Sequence, residues 1–159
     1  MNLLETKRLC IRKFTPDDGE DLKEYAVYKQ QTGFEAFNPW PTDSEGCKDL
    51  ASYFSTTDNF WAVCRKSDNK LIGFIAFNEI DSEKHLDMGH GFTPQYNTDN
   101  MAEEAIESMM QYAFDTLDIV AIDARNEKEW TEQIAPLQSI GFQELDDRMQ
   151  MTREAWEQR

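Results

Sequence analysis

Basic residues are scarce in this sequence. Its 159 residues include 16 Lys and Arg against 31 Asp and Glu, which gives a formal net charge of −15 at pH 7. A chain this acidic repels nucleic-acid phosphates and anionic lipid headgroups, so we expect no nucleic-acid or membrane partner. No apolar run approaches the roughly 20 residues that a membrane-spanning helix needs. The first residues do not resemble a signal peptide, and these absences together predict a cytoplasmic protein.

Cysteine is also rare. Cys10, Cys47 and Cys64 are odd in number and show no Cys-x-x-Cys spacing. Zinc sites and disulfide frameworks need paired or clustered cysteines, so we expect reduced thiols and no metal site. The 5 prolines and 7 glycines are scattered and mark no linker. The length suits one compact domain, and we predict a single domain over residues 1–159.

The hydrophobic pattern predicts the order β-α-α-β-β-β-α-β-α-β. Alternating or short continuous apolar runs favour strands, and apolar residues three and four positions apart favour helices. The predicted strands cover residues 7–14, 60–64, 71–77, 86–92, 119–124 and, as an addition, 149–156. The first predicted helix begins after Thr15, and three further predicted helices cover 44–54, 102–117 and 129–140. This order predicts an α+β fold with an α/β-type mixed sheet, in which strand 71–77 is central because both its faces are apolar.

Several short phrases recur in the order of a known family. They include LETKRL at 4–9, LIGFI at 71–75 and MGHGF at 88–92. No single phrase is specific, but their order and spacing run in register over essentially the whole chain. In this respect the sequence resembles the GNAT N-acetyltransferases, in particular the RimJ/RimL-like branch that acetylates the N-termini of ribosomal proteins.

The resemblance implies a GNAT-like fold and a donor site. In that family the strands that correspond to 86–92 and 119–124 start paired and then diverge, and the pantetheine arm of acetyl-CoA fills the gap. Its pyrophosphate lies on free N–H groups of the following loop and helix start. Gly89 and Gly91 fit a strand bulge or a close approach of the cofactor. The implied acetyl-CoA residues are Phe92, Thr93, Gln95, Asn97, Thr98, Asp99, Asn100, Met101 and Ala102.

The chain departs from the family pattern in this donor site. Thr98 and Asn100 replace the two loop glycines, and Asp99 stands where relatives commonly have a basic residue. Asn tolerates a left-handed backbone, whereas a β-branched Thr does not. Trp130 stands where the family has an Asn that helps to hold the cofactor. These departures keep an alternative open, in which the protein has the GNAT fold, no longer binds acyl-CoA and acts as a non-catalytic binding or regulatory module.

The implied reaction is direct attack of a primary amine on the acetyl thioester, which needs a base because an amine with a pKa near 10 is protonated at neutral pH. His90, on the strand that lines the gap, has a suitable intrinsic pKa. Its alternative role is a packed polar residue. Glu79, at the end of the central strand, is a second candidate, and a solvated carboxylate is its alternative. Asp87 is a weaker candidate, because it points to the face opposite His90.

Aromatic residues mark the expected acceptor side. Phe34, Phe37 and Trp40 lie in the segment that in relatives covers the acceptor site, so they form a substrate wall or ordinary packing under a loop. The expected acceptor is a protein N-terminus or a small amine, and the protein is expected to be a monomer or homodimer. The acidic composition suits a cationic acceptor, although it also suits solubility alone.

Overall fold

The computed structural model describes residues 3–34 and 39–159, and in these residues eight strands form one sheet. The strands are β1 (Leu3–Glu5), β2 (Leu9–Lys13), β3 (Phe60–Arg65), β4 (Leu71–Ile80), β5 (His85–Phe92), β6 (Ala121–Ala124), β7 (Gln143–Glu144) and β8 (Met149–Thr152). The helices are α1 (Gly19–Thr32), α2 (Ser44–Ser55), α3 (Met101–Thr116), α4 (Thr131–Ile140) and α5 (Arg153–Glu157). No helix in this part of the chain is long and apolar enough to cross a bilayer.

The sheet is mixed, as the order of predicted elements indicated. Its strands lie in the order β1-β2-β3-β4-β5-β6-β8-β7. Every neighbouring pair is antiparallel except β5 and β6, which are parallel and are connected through α3. The predicted parallel crossover is therefore confirmed.

The strand β4 is central and buried on both faces. Its side chains alternate between two clusters, with Phe74 and Ala76 packed under α1 and α2, and Ile75 and Phe77 packed under α3 and α4. The sequence predicted this position from its continuous apolar run. The three cysteines are free thiols; Cys47 and Cys64 are buried and Cys10 is half-buried.

The two ends of the chain differ from the predicted elements. The predicted strand at 7–14 corresponds to β2, and a further strand, β1, precedes it; the Thr6 N–H donates to the Leu9 carbonyl at 2.9 Å in the turn between them. The predicted strand at 149–156 ends at Thr152. There the Thr152 Oγ1 accepts the Ala155 N–H at 3.1 Å, which caps a short helix where the strand was expected to continue.

The parallel pair of β5 and β6 opens along its length. Pairing runs from His85 with Ala121 to Asp87 with Asp123 and goes no further. Strand β5 continues to Phe92, which still pairs with Gly73 of β4. The β6 side of residues 88–92 therefore faces an opening, which we call the wedge. The predicted divergence of the two strands is confirmed.

A buried acid holds the paired end of the wedge together. The Asp123 side chain is almost fully buried and accepts hydrogen bonds from His85 Nδ1 at 3.0 Å and Gln150 Nε2 at 2.8 Å. Arg148 Nε lies 3.4 Å from the same carboxylate. These partners come from β5 and from β8 with the turn before it, so the carboxylate ties three strands together at this end.

The start of α3 is fixed by a second carboxylate. Glu104 accepts hydrogen bonds from Thr6 Oγ1 at 2.6 Å, Arg8 N at 2.9 Å and Arg8 Nε at 2.7 Å. Burial raises the pKa of Glu104, but these hydrogen bonds outweigh it and the pKa is lowered overall. Arg8 Nη2 also donates to the Asp99 carbonyl at 2.8 Å. The turn between β1 and β2 thus positions the loop before α3.

We expect Glu104→Ala to lower the free energy of unfolding by about 2 kcal/mol, because it removes charge-assisted hydrogen bonds and leaves partly buried donors unsatisfied. Asp115→Ala, on the exposed part of the same helix, is the control and should change it by less than about 0.5 kcal/mol. Urea denaturation at neutral pH measures both, and an equal effect of the two substitutions would contradict the role given to Glu104.

Candidate active site

Two cavities meet at the wedge. Cavity A, of about 440 Å³, lies on the α1 side of the sheet, and cavity B, of about 420 Å³, lies beside the loop before α3. His90 of β5 and Gln133 of α4 line both cavities. The wedge is therefore the place where a group that enters from one side meets a group that enters from the other.

His90 is a buried, neutral histidine. The residue lines both cavities, only 3% of it is exposed, and its Nε2 lies 2.9 Å from the Gln133 main-chain oxygen. A carbonyl oxygen can only accept, so Nε2 carries the proton and Nδ1 carries a lone pair. Burial lowers the pKa of His90 to about 4, although the hydrogen bond to Gln133 opposes the shift. The Nδ1 atom is buried and has no partner in the described residues.

Gln133 closes a bridge across the wedge. Its side-chain Nε2 donates to the His90 main-chain oxygen, and the same group donates to Asn126 Oδ1 at 3.2 Å. With the His90 Nε2 bond to the Gln133 carbonyl, two hydrogen bonds join β5 to α4 at the point where the cavities meet. We call this pair of hydrogen bonds the 90–133 bridge.

The loop before α3 shapes cavity B. Asp99 and Asn100 adopt left-handed backbone conformations, with φ of 54° and 62°. Asn100 therefore makes the turn that its tolerance for this region predicted. Thr98 lies outside the left-handed region, so the strain expected for it at positive φ does not arise. Asn97 Oδ1 accepts the Ala102 N–H at 3.0 Å and so caps the first turn of α3.

The structure brings four of the nine predicted donor residues to cavity B, namely Phe92, Asn97, Asp99 and Asn100. The other five do not line it: Thr93, Gln95, Thr98, Met101 and Ala102. Thr93 and Ala102 are buried, Gln95 borders a separate groove along α1, and Met101 packs against the core. Cavity B thus has a smaller set of loop residues than the motif suggested.

Cavity B is lined by acids. Asp99, Glu103 and Glu132 border it, and its described lining contains no Lys or Arg. An anionic ligand would therefore rely on main-chain N–H groups and not on basic side chains. The carboxylate of Asp99 is exposed, so water screens much of its charge.

Cavity A has aromatic walls. Two of the three aromatic residues that were predicted to form a substrate wall or ordinary packing, Phe34 and Trp40, line it, whereas Phe37 lies outside the described residues. Phe34 stacks on Trp130, with ring centroids 5.7 Å apart. The Trp130 Nε1 donates to the Tyr28 hydroxyl at 2.9 Å, and the Trp130 residue lines cavity A. Trp130 does not line cavity B, whereas Gln133 lines both cavities.

The two predicted carboxylate bases lie apart from His90. Glu79 is exposed and borders a separate cavity with Trp61 and Phe77, on the opposite face of the sheet from cavity A. The structure therefore does not bring Glu79 to the wedge. Asp87 accepts from Asn78 Nδ2 at 3.4 Å at the edge of cavity A. Burial raises the pKa of Asp87, while Asn78 and the nearby Arg125 oppose the shift.

Sequence reasoning missed several residues of the site. Tyr25 and Tyr28 are three residues apart on α1 and line cavities A and B respectively. Their spacing was a usable signal, since two tyrosines on one face of a helix favour a polar boundary. Asn126 and Gln133 gave no such signal, because their contacts to each other and to His90 depend only on the tertiary fold.

Comparison with known proteins identifies the family. The family model described as acetyltransferase (GNAT) domain matches residues 8–143, which is most of the chain. The chain belongs to the GNAT acetyltransferase family. A curated relative, Uncharacterized N-acetyltransferase p20 of Bacillus licheniformis, is 28% identical over 149 residues, covering 90% of this chain and 83% of its own length.

Solved structures show the same fold. A GNAT-family acetyltransferase from Bacillus anthracis superposes with a TM-score of 0.80 at 20% identity, over 96% of this chain and 99% of that chain. Spermidine N-acetyltransferase from Vibrio cholerae, solved with CoA and spermine, gives 0.75 at 14% identity, over 95% of this chain and 99% of its own. Because the chain belongs to a family of acetyltransferases, the protein is an enzyme. No finding favours the alternative of a non-catalytic binding or regulatory module.

The buried His90 makes a testable contribution to stability. Its pKa is about 4 in the folded protein, against an ordinary value of 6.5. Between these values the unfolded chain binds a proton that the folded protein does not. We therefore expect acidification from pH 6.5 to 4 to remove about 3 kcal/mol of stability through His90. This contribution should be fully present above pH 6.5.

Urea denaturation of wild type and His90→Gln across this pH range isolates the effect, because the carboxylates titrate in both proteins. The variant should show a smaller loss on acidification. Parallel curves for the two proteins would show that His90 is not buried in its neutral form.

Proposed function

We propose that this GNAT protein transfers an acetyl group from acetyl-CoA to the nitrogen of a primary amine. The observation that carries the proposal is the wedge, where two cavities on opposite sides of β5 meet at one buried histidine. The donor supplies an activated acetyl thioester and enters through cavity B. The amine enters through cavity A.

The free edge of β5 suits an extended donor arm. The Thr93 N–H donates to Ile72 of β4 at 2.9 Å, so Thr93 faces the sheet. Successive residues of a strand direct their N–H and C=O groups to opposite sides, so the main-chain groups of Phe92 and His90 face the wedge. A chain that carries amide groups can add to this edge as a further strand would. The pantetheine arm of acetyl-CoA has two such amides.

Cavity A suits an amine. Its aromatic walls attract a cationic or polarised N–H group, and its lining includes the carboxylates of Glu127 and Asp147. Lys29 and Arg125 line it as well, so the acceptor meets both signs of charge. Peptide N-termini, which are the acceptors of the branch that the sequence resembles, and small polyamines both belong to this class. We propose this class as the acceptor.

His90 is the proposed proton acceptor. We place the base at His90 and not at Asp87 because His90 lines both cavities, whereas Asp87 lines neither. A base with a pKa of about 4 does not deprotonate an ammonium ion, so the amine reacts in its neutral form. The nitrogen attacks the thioester carbonyl carbon, the C–N bond forms and the C–S bond breaks. The nitrogen becomes acidic as it bonds, and its proton passes through His90 Nδ1 to the departing sulfur.

Two substitutions separate the donor side from the acceptor side. Gly89 lines cavity A, and a Cβ there makes only ordinary contacts, the nearest being Asn78 Nδ2 at 3.4 Å. Gly89→Val should raise the KM for the amine about tenfold and leave the Kd for acetyl-CoA unchanged, because its bulk enters cavity A. Ala135 lines cavity B, and Ala135→Phe should weaken acetyl-CoA binding about tenfold.

Isothermal titration measures donor binding, and mass spectrometry of an amine panel with spermidine and a short peptide measures acetyl transfer. Gln138→Phe, an exposed position on the same helix as Ala135, is the bulk-matched control. Absence of acetyl-CoA binding by wild type at millimolar concentration would refute the proposed donor. Binding without transfer to any amine would refute the proposed acceptor.

The charge of Asp99 should weaken donor binding by a modest amount. An exposed carboxylate about 4 Å from a phosphate charge costs about 1 kcal/mol in water, which is about a fivefold change in affinity. Asp99→Asn should therefore tighten acetyl-CoA binding about fivefold at low salt, and added salt should reduce the difference. Asp115→Asn makes the same change of net charge away from cavity B and should have no effect. Equal affinities for the two variants would place the phosphates away from this loop.

A further inference from the structure

The 90–133 bridge has two halves of different kinds. One half joins His90 Nε2 to the Gln133 main-chain oxygen at 2.9 Å, and it depends on the position of α4. The other half joins the Gln133 side-chain amide to the His90 main-chain oxygen. The second half depends on the rotamer of the Gln133 side chain, so it can open while the strand, the helix and the His90 imidazole stay in place.

The side-chain half occupies the free strand edge. The His90 oxygen lies on the part of β5 that has lost its β6 partner, and there it accepts from a carboxamide N–H. This is the same chemical group that an extended amide-bearing chain presents to a strand edge. Gln133 thus takes the position that such a chain would take, and with it in place only 3% of His90 is exposed.

Gln133 has a second partner close by. The same Nε2 that donates to His90 also donates to Asn126 Oδ1 at 3.2 Å, and Asn126 lines cavity A. If the carboxamide rotates away from His90, it can keep this hydrogen bond. The rotation then breaks only the bond to the His90 oxygen, and an amide N–H of the arriving donor arm replaces it there, which offsets the cost of breaking a buried hydrogen bond.

The closed wedge also leaves one acceptor unsatisfied. His90 Nδ1 is buried and has no partner in the described residues. Such groups are costly and uncommon in folded proteins, and a catalytic role or a missing partner molecule is among their explanations. An amine that enters the opened wedge supplies the N–H that this atom lacks.

We propose that the Gln133 side chain is a gate on the wedge, and that acetyl-CoA binds by displacing it from the His90 main-chain oxygen. The inference rests on the proposed function, since the displacing group is an amide of the donor arm. In the closed state Gln133 competes with the donor, and in the open state it leaves the strand edge and His90 accessible.

The gate predicts a substitution that improves binding. Gln133→Ala removes the competing side chain and keeps the bond from His90 Nε2 to the main-chain oxygen of residue 133. Acetyl-CoA should therefore bind about fivefold more tightly, as expected for the loss of one competing hydrogen bond. Gln138→Ala removes the same side chain from an exposed position of the same helix and should leave the Kd unchanged. Isothermal titration with acetyl-CoA measures all three proteins. A purely structural role for Gln133 predicts the opposite sign, which is weaker or unchanged binding by a less stable protein.

NMR provides a second readout. The side-chain NH₂ signals of Gln133 are assigned by their absence from Gln133→Ala, and in the free protein they should exchange slowly with water. Saturation with acetyl-CoA should move them and speed their exchange. Unchanged Gln133 signals in the complex, or a Kd for Gln133→Ala equal to or above that of wild type, would overturn the gate while the proposed donor stands. If neither protein binds acetyl-CoA, the proposed donor is wrong and the gate is overturned with it.

Discussion

The site depends on a parallel strand pair that stops early. Three residue pairs hold β5 to β6, and the last of them places Asp123 beside Asp87. The nearly fully buried Asp123 needs its partners on β5 and β8, because a buried carboxylate without them would be very unfavourable. This fixes one end of the pair. Beyond it β6 ends at Ala124 while β5 continues, so the divergence of the strands is built into the lengths of the elements.

Close packing on the α1 side gives the wedge its walls. A Cβ on Gly91 would overlap the Tyr25 hydroxyl and the Phe74 ring, so only glycine lets α1 lie this near the sheet. The sequence indicated that Gly89 and Gly91 mark a bulge or a close approach of the cofactor. At Gly91 the close approach is made by a tyrosine of the protein itself. Tyr25 then packs edge-on against Trp40 and Phe74, and these three rings form one wall of cavity A.

Local patterns in the sequence predicted the fold better than the site. The continuous apolar run of β4 correctly predicted that both faces of this strand are buried. The resemblance to the family correctly predicted that β5 and β6 diverge. Glu79 lies away from the wedge because β4 and β5 are antiparallel, so the end of β4 pairs with Asp87 in the part of β5 that is still held to β6. The bond between His90 and Gln133 spans 43 positions. Periodicity carries no information on such a contact, so Gln133 could be found only from the structure.

The acidity of the chain acts differently on the two substrates of the proposed reaction. A formal charge of −15 attracts cationic amines from solution and repels an anionic donor. Recognition of the donor must then come from uncharged groups, and the edge of β5 supplies them as main-chain N–H and C=O groups in a narrow wedge. Hydrogen bonds of this kind are short-ranged and specific in geometry, whereas the attraction of the amine is long-ranged and unspecific. Under the proposed function, the site therefore selects its donor by shape and attracts its acceptor by charge. The neutral side-chain amide of Gln133, which is bonded to the His90 oxygen on this edge, is consistent with such recognition.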